Sequence, residues 1–208
     1  MRRPYLAGLA LVALTATAHA DCTQEAAQAL ERQRKSSAFQ AVTSTVTDKG
    51  PMRITTSYVL PDRMHQRIKV LLQAGEIERI LVGSRAWLKP ADGPWRQLPQ
   101  ADMNALRDEL LDTVVEAPER LSDYECLGKL TVDGEEVIGY RLDDRTVLPT
   151  GKKVAPPEGT PERILYVHPI TGLPVRDIAA PRGRPEKPFH KTVYSYAQDI
   201  RIEPPVVD

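Results

Sequence analysis

The sequence lacks three things that would narrow its class: a membrane-length apolar segment, an excess of charge of one sign, and a rich supply of cysteine. It has 28 basic and 28 acidic residues and only two cysteines in 208 positions. A spanning helix needs about 20 consecutive apolar residues, and no segment of that length occurs, so we expect a soluble mature protein. Balanced charge without a basic tract argues against a nucleic-acid partner.

Catalytic and cofactor motifs are also missing. The chain contains no G-x-S-x-G elbow, P-loop, G-x-G-x-x-G or H-E-x-x-H motif. His65, His168 and His190 are widely separated, and Asp143-Asp144 is more typical of a turn than of a cation site. We therefore predict a protein that is not an enzyme, with no catalytic residue, no metal and no cofactor. A hydrolase stays as a third hypothesis, which needs folding to assemble a polar constellation.

The N-terminus has the pattern of a secretory signal. Two arginines, Arg2 and Arg3, precede an apolar run from Leu6 to Leu14, and Ala18-His19-Ala20 is a typical cleavage site. The run is too short to span a bilayer, so residues 1–20 are predicted to be removed on export. Removal takes away two basic residues and no acidic one, which leaves 26 against 28, a net charge of −2.

The two cysteines, Cys22 and Cys126, are predicted to form a disulfide. An exported protein meets an oxidising compartment, and one pair allows one intramolecular connectivity. Lipid attachment at Cys22 is disfavoured, because Asp21 occupies the place where a lipoprotein signal has a small residue. Closing a loop of this length stabilises by roughly 4–5 kcal/mol in the chain-entropy model.

The stretch from Met52 to Leu98 organises the rest of the chain. Apolar and polar residues alternate from Met52 to Leu60 and again from Met64 to Leu72, with Pro61-Asp62 between the runs and a turn at Gly75 after the second. A period of two between turn residues predicts an antiparallel meander with one buried face. Such a sheet needs a cover for its apolar face.

Two helices are predicted to supply that cover. The first runs from Thr23 to about Lys35, with Thr23 as its cap. The second runs from Ala101 to Ala117 and is strongly amphipathic, with Leu106, Leu110 and Val114 on its apolar stripe. We expect the second helix to lie on the apolar face of the sheet.

The second half of the sequence returns to strands. Asp133-Gly134 is a hairpin turn between strands at 124–132 and 137–143, and a further hairpin joins 163–168 to 173–178. The final strand is predicted from Lys191 to Ile202. Helix and sheet together form either an ordinary packed core or a cavity for an apolar ligand, and physical reasoning leaves these two alternatives open.

Several of these hairpins resemble a known superfamily. The segment RILVGSRAWLKPADGPWRQL at 79–98 is similar to the Gly–aromatic–DGxW hairpin of LolA-like and LppX/LprG-like periplasmic proteins. Residues 127–137, 166–175 and 194–205 are similar to later hairpins and the last strand of that superfamily. The lipobox of the LppX/LprG-type lipoproteins is missing, which implies a soluble form.

The resemblance implies an α+β fold for residues 21–208 as a single LolA-like domain. Its sheet would be mostly antiparallel, an unclosed half-barrel of about ten or eleven strands, with amphipathic helices as a lid over an apolar cavity. The implied location is the periplasm, and the implied function is binding of acyl chains of lipids or lipoproteins, a function inferred by analogy.

Our first functional hypothesis is therefore a periplasmic monomeric carrier of lipid-like ligands. Its partners would be acyl chains and an envelope membrane protein. The second hypothesis is a protein-binding or envelope-stress-sensing module on the same fold, without a transported ligand. The side chains predicted to line the cavity are Met52, Ile54, Tyr58, Met64, Ile68, Val70, Ile80, Val82 and Trp87 on the sheet, and Leu106, Leu110 and Val114 on the helix.

Overall fold

The computed structural model describes residues 18–116, 122–147, 150–197 and 199–207. Most of the predicted signal peptide lies outside these ranges, and the signal stays a prediction. The helices are α1 (Ala18–Arg34) and α2 (Gln100–Leu110), and a π-helical turn (Leu111–Val115) continues α2. The strands are β1 (Ala38–Thr47), β2 (Gly50–Val59), β3 (Arg63–Val70), β4 (Ile77–Val82), β5 (Arg85–Lys89), β6 (Arg96–Gln97), β7 (Tyr124–Val132), β8 (Glu135–Leu142), β9 (Thr146–Val147), β10 (Lys153–Val154), β11 (Glu162–Val167), β12 (Pro174–Ala180) and β13 (His190–Ser195).

Eleven of the strands form one antiparallel sheet. Their order is β6-β5-β4-β3-β2-β1-β13-β12-β11-β8-β7, and β9 pairs separately with β10. The sheet does not close, because β6 and β7 are its two edges. This unclosed half-barrel with two helices confirms the predicted fold class.

The strand register defines the two faces of the sheet. Residues that pair directly across neighbouring strands point to the same side, and successive residues point to opposite sides. The side on which both helices lie is called the helix face below. One row on this face crosses the sheet from β4 to β8, and its members are Ile77, Ile68, Ile54, Thr43, Thr192, Asp177, Leu165 and Tyr140.

Each helix packs an apolar stripe onto its own part of the helix face. The apolar stripe of α2 and the π turn covers β1 to β5, through Met103, Leu106, Leu110 and Val114. Small residues of α1, Ala26 and Ala29, pack on Leu165, Val167 and Tyr140 of β11 and β8. Burial of each large apolar side chain contributes about 1.5–3 kcal/mol, so packing rather than helix propensity holds α2 in place.

The opposite face has two apolar clusters of its own. One lies on β7, β8, β11 and β12 and includes Ile164, Tyr166 and Ile178. The other lies at the far end of the sheet, where Ile202 packs against Ile80 and Trp87.

The prediction of a last strand to Ile202 is wrong, because β13 ends at Ser195 and the later residues form an irregular tail.

The predicted hairpin turns are confirmed. Asp133 and Gly134 both have positive φ, 52° and 87°, which is the geometry of a type I′ turn between β7 and β8. Thr23 does not cap α1, because that helix already begins at Ala18. The Thr23 hydroxyl instead accepts a hydrogen bond from the Tyr124 backbone N–H at 2.9 Å.

Candidate functional site

Four predicted lining residues form an apolar strip on the helix face. Met52 pairs with Val70, and Ile54 pairs with Ile68, on the neighbouring strands β2 and β3. All four are only partly buried, whereas the same face nearer to the start of β3 is fully buried. The set Met52, Ile54, Ile68 and Val70 is called the apolar strip below, and we take it as the candidate site.

Five further predicted lining residues come together beside the strip in a closed core. Tyr58 and Met64 face Leu106, Leu110 and Val114, and none of the five is more than 6% exposed. Phe39 stacks on Tyr58 with ring centroids 4.8 Å apart. This burial raises the pKa of the Tyr58 hydroxyl to about 12. The structure therefore has a packed core at this end of the helix face.

A group of polar side chains marks the border between this core and the apolar strip. Gln66, 6% exposed on β3, donates hydrogen bonds to Thr56 Oγ1 at 3.4 Å and to Glu109 Oε1 of α2 at 3.2 Å. Arg79 of β4 forms an ion pair with Glu109 at 3.1 Å and donates to Gln66 Oε1. We call Thr56, Gln66, Arg79 and Glu109 the polar latch, because it joins α2 to the sheet.

Three predicted lining residues lie on the wrong side of the sheet. Ile80 pairs with His65 and with Trp87, and Val82 pairs with Arg63, so all three apolar side chains point away from the helices. They pack with Ile202 on the opposite face. The prediction that Ile80, Val82 and Trp87 share a surface with Met64 is corrected: Leu81, not its neighbours, is the β4 residue opposite Met64.

The row continues from the apolar strip into polar side chains at the centre of the sheet. Ile54 pairs with Thr43, Thr43 pairs with Thr192, and the two threonine hydroxyls are 2.9 Å apart. His190 Nε2 lies 3.4 Å from the Thr192 hydroxyl. Apolar and hydrogen-bonding side chains therefore adjoin on the helix face, where Thr43 is half-buried and Thr192 is buried.

The disulfide fixes one wall of this face. Cys22 of α1 is bonded to Cys126 of β7, as predicted, with their Cα atoms 5.3 Å apart. Near it, the Tyr140 hydroxyl donates a hydrogen bond to Glu25 of α1 at 2.8 Å. Because these links join α1 to the β7–β8 edge, the start of α1 is held over the last two strands.

The described residues do not gather a set of histidines or carboxylates into a metal site. His65 contacts Glu78 at 2.9 Å on the opposite face, and His168 Nδ1 accepts backbone N–H groups in the β11–β12 turn. Asp143 forms ion pairs with Arg145 and Lys153 at 2.7 and 2.6 Å. Hydrogen bonding from Arg145 lowers the pKa of Asp143, so this carboxylate is already neutralised by its own neighbours. In the parts of the chain that the structure describes, no group of three or more such side chains could hold a metal ion.

Comparison with known proteins places the fold. No protein-family model and no curated protein matches the sequence. Among solved structures, the chain is similar to LprF from Mycobacterium bovis, with 11% identity, a TM-score of 0.54, and coverage of 90% of this chain and 98% of LprF. It is also similar to the lipoprotein LppX from Mycobacterium tuberculosis, with 12% identity, a TM-score of 0.52, and coverage of 88% and 99%.

These likenesses confirm the predicted fold, an unclosed antiparallel half-barrel with two helices that is similar to LprF and LppX. At such low identity they establish fold and not activity. Within the described ranges, no helix has the length and apolar character to cross a membrane.

Proposed function

We propose that the protein binds lipid-like apolar ligands in the cell envelope and carries them between partners there. The observation that carries this proposal is the apolar strip. Met52, Ile54, Ile68 and Val70 form a continuous apolar surface of sheet that neither helix fully covers. A partly exposed apolar surface next to a helix is a suitable place for an acyl chain.

The periplasm is the location that we propose. The predicted signal at residues 1–20 supports export, and the Cys22–Cys126 disulfide suits an oxidising compartment. LppX, which has the same fold, is a lipoprotein, and lipoproteins belong to the envelope. These observations agree with one another.

The energetics set a minimum length for the ligand. Each buried methylene contributes about 0.8 kcal/mol, so about ten methylenes supply about 8 kcal/mol. Association costs about 4–15 kcal/mol in lost freedom, so a short chain would bind weakly. A long acyl chain is therefore the ligand that the strip suits best.

In this proposal α2 acts as the lid. The closed core under α2 continues the apolar strip towards the start of β3, and the polar latch separates the two. Extending the strip over Tyr58 and Met64 would require α2 to lose both the Glu109 contacts and its own apolar contacts, which an acyl chain would have to replace. Closing the latch again would release the chain to a partner.

Native mass spectrometry of protein purified from its own envelope without delipidation tests the proposal. We expect a discrete mass increment that lipid extraction identifies, and we expect Ile54→Glu to remove it. Val46→Glu is the matched control, because Val46 is 64% exposed and points to the opposite face. Leu106 and Leu110 are poor targets because they belong to the closed core.

A bare protein mass, together with no uptake of a fluorescent acyl probe, would overturn the carrier function. A protein-binding module on the same fold would then be the remaining hypothesis. Loss of the increment in the Val46→Glu variant as well would show that the strip is not the site.

A further inference from the structure

A pocket of about 210 Å³ lies between α1 and the sheet, on the other side of the threonine pair from the apolar strip. At roughly 30 Å³ per water molecule, it has room for about seven waters, which is the scale of a head group and not of a long chain. Most of its walls are apolar. The lining residues are Ala27, Leu30, Ser122, Tyr124, Leu142, Leu165, Arg163 and Asp177.

Asp177 is the unusual member of this lining. It points to the helix face, between Leu165 and Thr192 in the row across the sheet. Among the described residues, its carboxylate accepts no hydrogen bond and has no ion-pair partner within 4 Å. Burial raises the pKa of Asp177, and the nearby Arg163 and His190 oppose that rise only in part. Asp177 is half-buried, and a partly desolvated carboxylate without a donor is costly unless water or a ligand supplies one.

Arg163 places a positive charge at the same pocket, near enough to favour the charged form of Asp177 but without a close ion pair. It pairs with Ala179, and Asp177 pairs with Leu165, so the two charged residues are diagonal neighbours on β11 and β12. Diagonal neighbours on adjacent strands lie about 7–8 Å apart. No nitrogen–oxygen distance of 4 Å or less joins these two side chains, and Arg163 is exposed. One pocket thus presents a separated negative and positive group.

We propose that this pocket binds a zwitterionic head group, with an ammonium on Asp177 and a phosphate on Arg163. An ammonium has three donors for the carboxylate, and a guanidinium matches phosphate through two parallel N–H donors. The assignment rests on the proposed function, which it deepens by naming the ligand as an ethanolamine-type amphiphile.

The row across the sheet supplies the path for the rest of the molecule. Asp177, Thr192, Thr43 and Ile54 are successive partners on β12, β13, β1 and β2. Three strand spacings of about 4.8 Å place the head-group pocket about 14 Å from the apolar strip. A single amphiphile is therefore long enough to reach both, with its linkage beside the half-buried Thr43 and its chain on Ile54 and Ile68, whereas Thr192 itself is buried.

Two lysolipids with the same acyl chain test the proposal: lysophosphatidylethanolamine and lysophosphatidylglycerol, titrated by calorimetry as monomers. Both carry phosphate, and only the first carries an ammonium. We expect the wild-type protein to bind the ethanolamine lipid about tenfold more tightly, as one charged hydrogen bond provides. In Asp177→Asn we expect this ratio to fall below about threefold, because the ethanolamine lipid loses its carboxylate partner while the glycerol lipid loses only a nearby like charge.

Two further variants separate the roles of the charges. Arg163→Gln should weaken both lipids and keep their ratio, because both lose the same phosphate contact. Asp48→Asn is the charge control: it removes an exposed turn carboxylate beyond β1, outside the pocket, and should keep the tenfold ratio.

The outcomes distinguish this assignment from the proposed function. Equal binding of both lipids by the wild type, or an unchanged ratio in Asp177→Asn, would overturn the head-group site and leave the carrier intact. No binding of either lipid would overturn both. Free phosphoethanolamine binding as tightly as the lysolipid would show that the pocket takes a soluble zwitterion, which also contradicts the proposal of an amphiphile.

Discussion

Removal of the disulfide should destabilise the protein by a large and calculable amount. The perturbation is the double variant Cys22→Ser/Cys126→Ser. The two cysteines are 104 residues apart in the sequence, and the chain-entropy model assigns a loop of that size about 4.7 kcal/mol. Domains of this kind are stable by about 5–15 kcal/mol, so between a third and almost all of the stability is at stake.

The assay is equilibrium urea unfolding of the mature protein. The entropic effect acts on the unfolded chain, because Ala26, Ala29 and the Thr23–Tyr124 hydrogen bond still hold α1 in the native state. We therefore expect unchanged near-ultraviolet circular dichroism and a larger m-value, since the unlinked chain exposes more surface. Reduced wild-type protein should give the same free energy of unfolding as the double variant.

A loss below about 1.5 kcal/mol would refute this reasoning, because it would show that the unfolded chain is already restricted at both ends of the loop. Loss of the native near-ultraviolet signal would refute it differently. In that case the disulfide, and not packing, would be what positions α1 on the sheet.

Three other predictions follow from single side chains. Ile202→Ala should lower the free energy of unfolding in urea by about 2–5 kcal/mol, because Ile202 is 3% exposed and packs against Trp87. The control Val206→Ala, at an 87% exposed position, should cost almost nothing. Equal effects of the two variants would show that the tail does not pack. Asp177→Asn should be more stable than wild type at neutral pH, because burial raises the pKa of Asp177 in the folded state. The pKa of this carboxyl in the unfolded chain is about 4, so the free energy of unfolding of the wild type falls as the pH rises from about 4 through the folded-state pKa. The difference should therefore close on acidification, and a constant difference would contradict the cause. Glu109→Gln should speed amide hydrogen exchange in α2. It should lower the free energy of unfolding by less than about 1 kcal/mol, because Glu109 and Arg79 are 40% and 29% exposed and solvent screens their ion pair. Unchanged exchange would show that the polar latch does not restrain α2.

The sequence was informative where polar and apolar residues alternate. In β2 and β3 the alternation assigned Met52, Ile54, Tyr58 and Met64 to the helix face, and the register agrees. In β4 the neighbours Ile80, Leu81 and Val82 are all apolar. The alternation of polar and apolar residues therefore does not indicate which of them point to the helix face. The wrong phase was chosen, and Trp87 was assigned to the wrong face together with Ile80.

The tail after β13 was missed for a related reason. Ile200 and Ile202 continue the alternation of the strand, so local pattern predicts continued pairing. What decides the outcome is an apolar surface on the opposite face, at Ile80 and Trp87, which becomes available only after β4 and β5 have folded. The signal for the polar latch was present, since Thr56 and Gln66 are polar residues at inward positions of otherwise apolar strands.

The route of the C-terminal tail has a mechanical consequence for the half-barrel. The tail leaves β13 in the middle of the sheet and attaches near its β6 edge, where the Arg63 guanidinium donates a hydrogen bond to the Ile202 carbonyl at 2.8 Å. It therefore acts as an external belt across β1 to β4. In a sheet curved around its helix face, flattening shortens the outer path and slackens such a belt, whereas tighter curling stretches it. We therefore expect the tail to resist tighter curling of the half-barrel.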